Sequence, residues 1–349
     1  MVFMFLPQIP GIYRNTISQA QKHLDSLTKP LGSLGRLEEL AARLAGMTGR
    51  VIPDFSRKTV VVMAADHGVA SEGVSAYPPD VTFQMVLNFL SGGAAINVLA
   101  RHAKAEVKVV DMGVRGEFPA NPNLINKKIA CGTANFLKGP AMTLAQAQTA
   151  VESGIQVAKD LAGQGCQMVA TGDMGIGNTT ASSAIVSVLT GLPVEAVTGR
   201  GTGVDDAGLK RKIQVIEQAI EINKPNPKDA INVLSKVGGF EIAGLCGLAI
   251  GCASLRIPVI IDGFISGAAA LVAARLVPDV ESYLIASHKS VECGHAAVFE
   301  ELGLKPLLDL DLRLGEGTGA VLAFNLVDAS LAIMREMATF ESANVSGKL

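Results

Sequence analysis

Glu316 stands in Arg313-Leu314-Gly315-Glu316-Gly317-Thr318-Gly319-Ala320, a carboxylate held between two glycines and followed by an apolar stretch from Ala320 to Met334. Glycine on either side lets the backbone approach a bound ring without Cβ collisions. Apolar flanks strip water from the carboxylate and strengthen it as a proton acceptor. The chemistry this favours is general-base catalysis. The same residues also suit a turn glutamate that opens the last helix, and the motif alone does not separate the two readings.

A second constellation runs from Cys166 to Thr180, passing from an apolar strand through Gly172, Gly175 and Gly177 into a helix from Ala181 to Leu189. Strand, glycine turn and helix start make an anion cradle, because free backbone N–H groups and the positive helix end converge there. Gly175, Gly177, Asn178 and Thr179 are the candidate phosphate contacts. The glycines fall as GxxGxG, which is neither the dinucleotide GxGxxG nor the Walker GxxxxGK[ST], so a dehydrogenase or P-loop ATPase is disfavoured. A purely structural tight turn stays open.

Thr198 to Lys212 places Gly199, Gly201 and Gly203 ahead of an Asp-capped helix. Lys210, Arg211 and Lys212 cannot all face one way on that helix. Lys212 is the chosen phosphate contact beside Gly201 and Gly203; a solvated surface lysine is the competing reading. Ser266 and Ser290 lack a nucleophile-elbow context, so their hydroxyls bind a ligand or cap a helix. His23, His67, His102, His288 and His295 lie too far apart for metal-ligand spacing, and neither a metal nor a cofactor is expected.

These residues need a scaffold, and the chain supplies an alternating one. Short Val- and Ile-rich runs, Thr59 to Ala64, Glu106 to Val110, Cys166 to Ala170, Pro258 to Ile261 and Tyr283 to Ala286, recur between longer helical patterns. That alternation predicts an α/β fold, a doubly wound, mostly parallel sheet of about six strands with helices on both faces. Small or polar residues follow each run: Asp66-His67-Gly68, Asp111-Met112-Gly113, Thr171-Gly172-Asp173, Asp262-Gly263 and Ser287-His288. Ligands of open parallel sheets collect at that edge. Both chain ends read differently. Thr16 to Leu27, Leu34 to Met47 and Val321 to Glu341 are helical patterns, which predicts a small helical subdomain from 1–55 with 320–349, flanking a large α/β domain over 56–319.

With 349 residues the chain can bury a large core. Its 49% hydrophobic and 18% charged residues, with 37 glycines, suit buried parallel strands joined by glycine loops. A mean hydropathy of +0.36 raises the question of a membrane, but no apolar run reaches the roughly 18 uninterrupted residues of a spanning helix. Met1 to Tyr13 lacks a basic start and carries Pro7 and Pro10, against a secretory signal, so the expected location is the cytoplasm. Five cysteines without a CxxC pair read as buried thiols. A net charge of -2 without a basic run argues against nucleic acid.

The assembled motifs carry a resemblance along nearly the whole chain. They are Lys29-Pro-Leu-Gly-Ser-Leu-Gly-Arg-Leu-Glu38, Ala65-Asp-His-Gly-Val69, Gln84-Met-Val with Gly92-Gly-Ala-Ala-Ile-Asn97, Gly132-Thr-Ala-Asn135 with Gly139-Pro-Ala-Met142, Gly175-Ile-Gly-Asn-Thr-Thr180, Gly199-Arg-Gly-Thr-Gly203 and Leu312-Arg-Leu-Gly-Glu-Gly-Thr-Gly319. The chain resembles the nicotinate-nucleotide:dimethylbenzimidazole phosphoribosyltransferase family of cobalamin assembly. The resemblance implies that nicotinate mononucleotide gives its ribose phosphate to a benzimidazole nitrogen with inversion, that Glu316 is the general base, and that no metal takes part. It also implies that Gln84, Asp173, Met174 and Leu314 line the aromatic-base pocket and that the protein is a homodimer. Asp173 stands where the family often has Glu, one methylene longer. Two other readings compete: a catalytically silent nucleotide sensor built from the same loops, and a diphosphate-dependent phosphoribosyltransferase. The latter wants paired acids after a strand, where Val259-Ile-Ile-Asp262 offers one.

Overall fold

In a computed structural model, which describes residues 4–346, the sheet is built outward from β1 (Lys58–Ala65), every residue of which is buried. An unbroken apolar strand needs cover on both faces, and parallel neighbours on both edges provide its hydrogen bonds. β2 (Glu106–Gly113) and β3 (Leu124–Asn126) extend the sheet on one side, and β4 (Met168–Met174), β5 (Val259–Ile261) and β6 (Leu284–Ala286) on the other. The order is β3-β2-β1-β4-β5-β6, parallel throughout. The winding direction reverses between β1 and β4, so the crevice outside their carboxyl ends is where a ligand site is expected.

The alternation of side chains assigns the two covering layers. Met63 touches helix Phe240–Ser254 at Gly244, whereas Val60, three residues away and so on the opposite face, touches Gly317 at the start of helix Thr318–Glu336. On the first face Phe240–Ser254 crosses Leu144–Gly163 so tightly that a Cβ on Gly154 or Gly247 would collide with the facing backbone carbonyl. On the second face Thr318–Glu336 packs against β4 and against Arg36–Thr48. The chain ends meet there. Leu27 bridges Thr339, Thr28 N–H donates to Ala338 O at 2.9 Å, and His23 Nε2 lies 2.7 Å from Met334 O. The loop before Arg36–Thr48 is held by a buried ion pair, Lys29 Nζ to Glu38 Oε2 at 2.9 Å.

Several expectations change. β2 and β4 run three or four residues further than the apolar runs, so Asp111, Gly172 and Asp173 are strand residues and not loop residues; the ladder with β1 carries them past the point where the apolar run is first broken. β3, a half-buried edge strand of three residues, has no run long enough to read. Nor has the parallel pair β7 (His288–Lys289) and β8 (Leu308–Asp309). The glycine-loop helix starts at Asn178, and the last helix stops at Glu336 where Met337 turns extended. Cys131 and Cys293 are exposed, while Cys166, Cys246 and Cys252 are buried.

Two stretches, Val81–His102 and Thr318–Glu336, do have the length and hydropathy of a membrane-crossing helix. The first is broken into Val81–Ser91 and Ala95–His102 by a left-handed Gly92. The second is a core helix, tied down where Asp328 meets Lys58 at 2.5 Å. Residues 1–3 and 347–349, included in the expected helical subdomain, lie outside the described residues.

Candidate active site

The carboxyl end of β4 receives the Glu316 loop at very short range. A Cβ on Gly172 would come within 2.5 Å of Glu316 O, and one on Gly317 within 2.7 Å of Val60 Cγ1. These glycines therefore serve approach to the sheet, where the sequence pattern predicts clearance for a bound ring. Gly315, Glu316 and Gly317 have φ of 80°, 63° and 90°, three successive left-handed residues, of which only Glu316 carries a side chain. That side chain is 5% exposed, and its Oε2 has no hydrogen-bond partner. Burial pushes the Glu316 carboxyl up to about 7, opposed by the Ile96 N–H and reinforced by the charge of Asp262.

Asp173, the last carboxylate of β4, is also buried. Its Oδ2 accepts from Asn178 Nδ2 at 2.9 Å, and Oδ1 is unpartnered. Burial first, then the charges of Asp262 and Glu241, hold its carboxyl well above the usual range, against the Asn178 hydrogen bond. Both buried acids hold a proton more firmly than a free carboxyl does, and Glu316, near 7, shares its own with solvent at neutral pH.

The glycine turn rests on a buried His67–Glu241 pair, Nε2 to Oε1 at 2.5 Å, which a side chain on Gly175 would strike. Gly177, left-handed at φ 95°, ends the turn and starts helix Asn178–Thr190. Lys212 is fully buried, which rules out the solvated-lysine reading. Its Nζ donates to Thr179 Oγ1 at 2.8 Å and to Gly199 O at 3.1 Å. Burial lowers its ammonium to about 8, with Glu292 opposing. Gly201 (φ 53°) packs over both groups, its Cβ position 2.8 Å from Thr179 Oγ1 and 3.2 Å from Lys212 Nζ.

These parts share a cleft of about 650 Å³. Of the residues singled out from sequence, Asp173, Met174, Gly175, Asn178, Thr179, Gly201, Ser290, Leu314 and Glu316 line it. Others do not. Gln84 is exposed and does not line the cleft, although it stands one helical turn from Val81 and next to Met85, which do. Gly177 faces His67 and Ala70, and Gly203 borders an adjoining hollow with Arg200 and Cys293. Lys212 acts from behind the wall, through Thr179. Arg313 ties the two sides of the mouth by donating to Gly201 O at 3.4 Å.

His288 and Asp262 stand at strand ends, where sequence reasoning assigns them no role. His288 lines the cleft with Nδ1 2.9 Å from Ser287 Oγ, and burial lowers it to about 4, so the ring is neutral. The available signal is Gly319, where any side chain would overlap the His288 ring. Asp262 accepts from Gly317 and Ala320 N–H, and burial raises its carboxyl to about 6 against those hydrogen bonds. Among the described residues no group of three His, Cys, Asp or Glu side chains is placed to hold a metal ion.

The family model described as Phosphoribosyltransferase (DBI_PRT) matches residues 9–345. A nicotinate-nucleotide--dimethylbenzimidazole phosphoribosyltransferase of Roseiflexus sp. (strain RS-1) is 62% identical over 330 residues, covering 95% of this chain and 94% of its own. The protein of the same name from Geobacter sulfurreducens is 55% identical over 341 residues, 98% of this chain and 97% of its own. Among solved structures, CobT from Thermus thermophilus superposes with a TM-score of 0.92 at 49% identity, across 96% of this chain and all of that one.

Proposed function

This chain belongs to the phosphoribosyltransferase family described by that model, and from that premise we propose that it moves the 5-phosphoribosyl group of nicotinate mononucleotide to 5,6-dimethylbenzimidazole, a step of cobalamin nucleotide-loop assembly. The products are α-ribazole 5'-phosphate and nicotinate. The observation that carries the reading is the unpaired, water-poor Glu316 carboxylate, in one cleft with the Thr179–Lys212–Gly201 anion cradle.

The chemistry asks for help mainly at the acceptor. The departing ring nitrogen is a pyridinium, so the C–N bonding pair returns to it and nicotinate leaves without a proton. Glu316 takes the imidazole N–H proton as the opposite ring nitrogen forms its bond to the sugar carbon, with inversion. General-base assistance of this kind contributes roughly 10²–10⁴-fold, and holding both partners in line supplies more. Asp173 offers its unpartnered Oδ1 to the heterocycle, and Met174, Met85 and Leu314 give apolar cover. The ribose phosphate is held at the amino end of helix Asn178–Thr190 beside Thr179, by Gly201 and Ser290, and by the charge of Lys212. Gln84, one helical turn from Val81 on the same face, reaches the aromatic base from the edge of the cleft.

The reading includes a cytoplasmic homodimer and treats the two chain ends as one helical unit. Supporting a second copy are the exposed apolar side chains of Tyr77 and Leu314 at the cleft. A single-chain mass by light scattering at micromolar concentration would defeat the dimer. The direct test of function is nicotinate release from nicotinate mononucleotide and 5,6-dimethylbenzimidazole. Nucleotide binding without release would favour the silent sensor.

A further inference from the structure

Asp262 directly follows β5 with no exposed surface, and its partners lie 55 and 58 residues further along the chain. Oδ2 accepts from Gly317 N–H at 3.0 Å, and Oδ1 from Ala320 N–H at 2.9 Å. Helix Thr318–Glu336 has no capping side chain at Gly317 and no acidic residue in its first turn, so this carboxylate completes its amino end from another element. No lysine or arginine among the described residues pairs with it; the closest cationic candidate is His288 Nδ1 at 3.9 Å, on a ring held neutral by burial.

A fully buried, unpaired carboxylate is costly, and a local Ser or Asp at the helix start would cap it at less expense. What a local cap would not do is tie the loop to the sheet. The bonded amides lie just beyond Glu316, whose left-handed backbone needs surrounding contacts to persist. Thr171 Oγ1 accepts from Asp262 N–H at 3.2 Å, which fixes Asp262 itself to β4.

We propose that Asp262 is a positioning residue for the transfer reaction, anchoring the left-handed Gly315–Gly317 loop to the sheet edge and so aiming the Glu316 carboxylate into the cleft. The inference rests on the reading of Glu316 as the base. The charge of Asp262 also adds to the burial that raises Glu316. The other titratable groups lining the cleft around the loop are Asp173 on β4, His288 on β7, Asp311 and Arg313 within the loop's own segment, and Glu292 and Tyr77.

Asp262→Asn keeps size and one acceptor oxygen while removing the charge and one acceptor. It is expected to lower kcat about 10²-fold, as loss of alignment does, with KM for nicotinate mononucleotide changed less than about threefold. The acid limb of the rate profile should move a little below about 7, because burial, the larger cause of the raised value, remains. Placed on Glu316→Gln, the same change should add little, because it acts through a base already removed. Wild-type kcat with an unmoved limb would overturn the proposal, and so would an undiminished further loss on Glu316→Gln. Hydrogen exchange guards against a variant that fails to fold: Gly317 and Ala320 amides must exchange slowly in the wild-type protein, and fast exchange there would overturn the anchor. Full turnover by Glu316→Gln alone would instead remove the base reading, an outcome independent of Asp262.

Discussion

At neutral pH Glu316 is close to half ionised, because burial has raised it to about 7. A base must be ionised to act, so kcat/KM should fall on the acid side with a midpoint near 7 and not near the ordinary 4.5. Lys212 sets the other side. Its ammonium, lowered to about 8, loses its proton above that pH and weakens phosphate capture. The expected profile is a narrow bell between the two values, and a flat profile from pH 5 to 7 would contradict it. Glu316→Gln should lower kcat roughly 10²–10⁴-fold while nucleotide binding by calorimetry persists. Lys212→Met should weaken nicotinate mononucleotide binding about 10- to 100-fold, the worth of a charged hydrogen bond. Glu316 is legible in the sequence because a carboxylate between glycines is unusual in form. Lys212 is half legible: helical spacing leaves its direction open, and only burial decides it. Asp262 and His288 are opaque, since an Asp or His after a strand is commonplace and their partners are distant in sequence.

At the scale of elements, the active loop depends on what is missing from β4. Gly172→Ala would drive a methyl into Glu316 O, and the loop must lift. A displacement on the order of 1 Å should cut kcat about 10²-fold, readable as a fall in kcat larger than the change in melting temperature implies. Five strands of the main sheet announce themselves as apolar runs because both their faces are covered. Their true ends do not, because Asp173 and Asp111 continue a hydrogen-bond ladder that hydropathy does not record. β3, β7 and β8, at three and two residues, exist only by pairing with a neighbour. Between the first two helical patterns, Thr28 to Ser33 reads as a helix stop followed by a cap. Lys29 within it forms a buried ion pair with Glu38 of the next helix, a contact that helix signals do not encode.

Across the whole molecule, parallel strands and small-residue helix crossings hold the cleft open at the switch between β1 and β4. Gly154→Ala or Gly247→Ala, far from that cleft, should destabilise by roughly 1–3 kcal/mol through overpacking, seen as a lower thermal midpoint with unchanged turnover per folded molecule. The stability of the fold should also fall with alkalinity. Asp173, Asp262 and Glu316 each hold a proton more firmly folded than unfolded, so their contribution is complete below their unfolded values and is lost as pH climbs through the raised ones, near 6 for Asp262 and 7 for Glu316. One geometric detail carries the same tension into evolution. The backbone at residue 316 has φ of 63°, a conformation in which an L-amino acid costs about 1 kcal/mol relative to glycine. A Glu316→Gly protein should therefore melt later than its parent while turning over nothing. Once released from the demand to process substrate, a lineage would gain robustness by discarding the carboxylate that the proposed reaction requires.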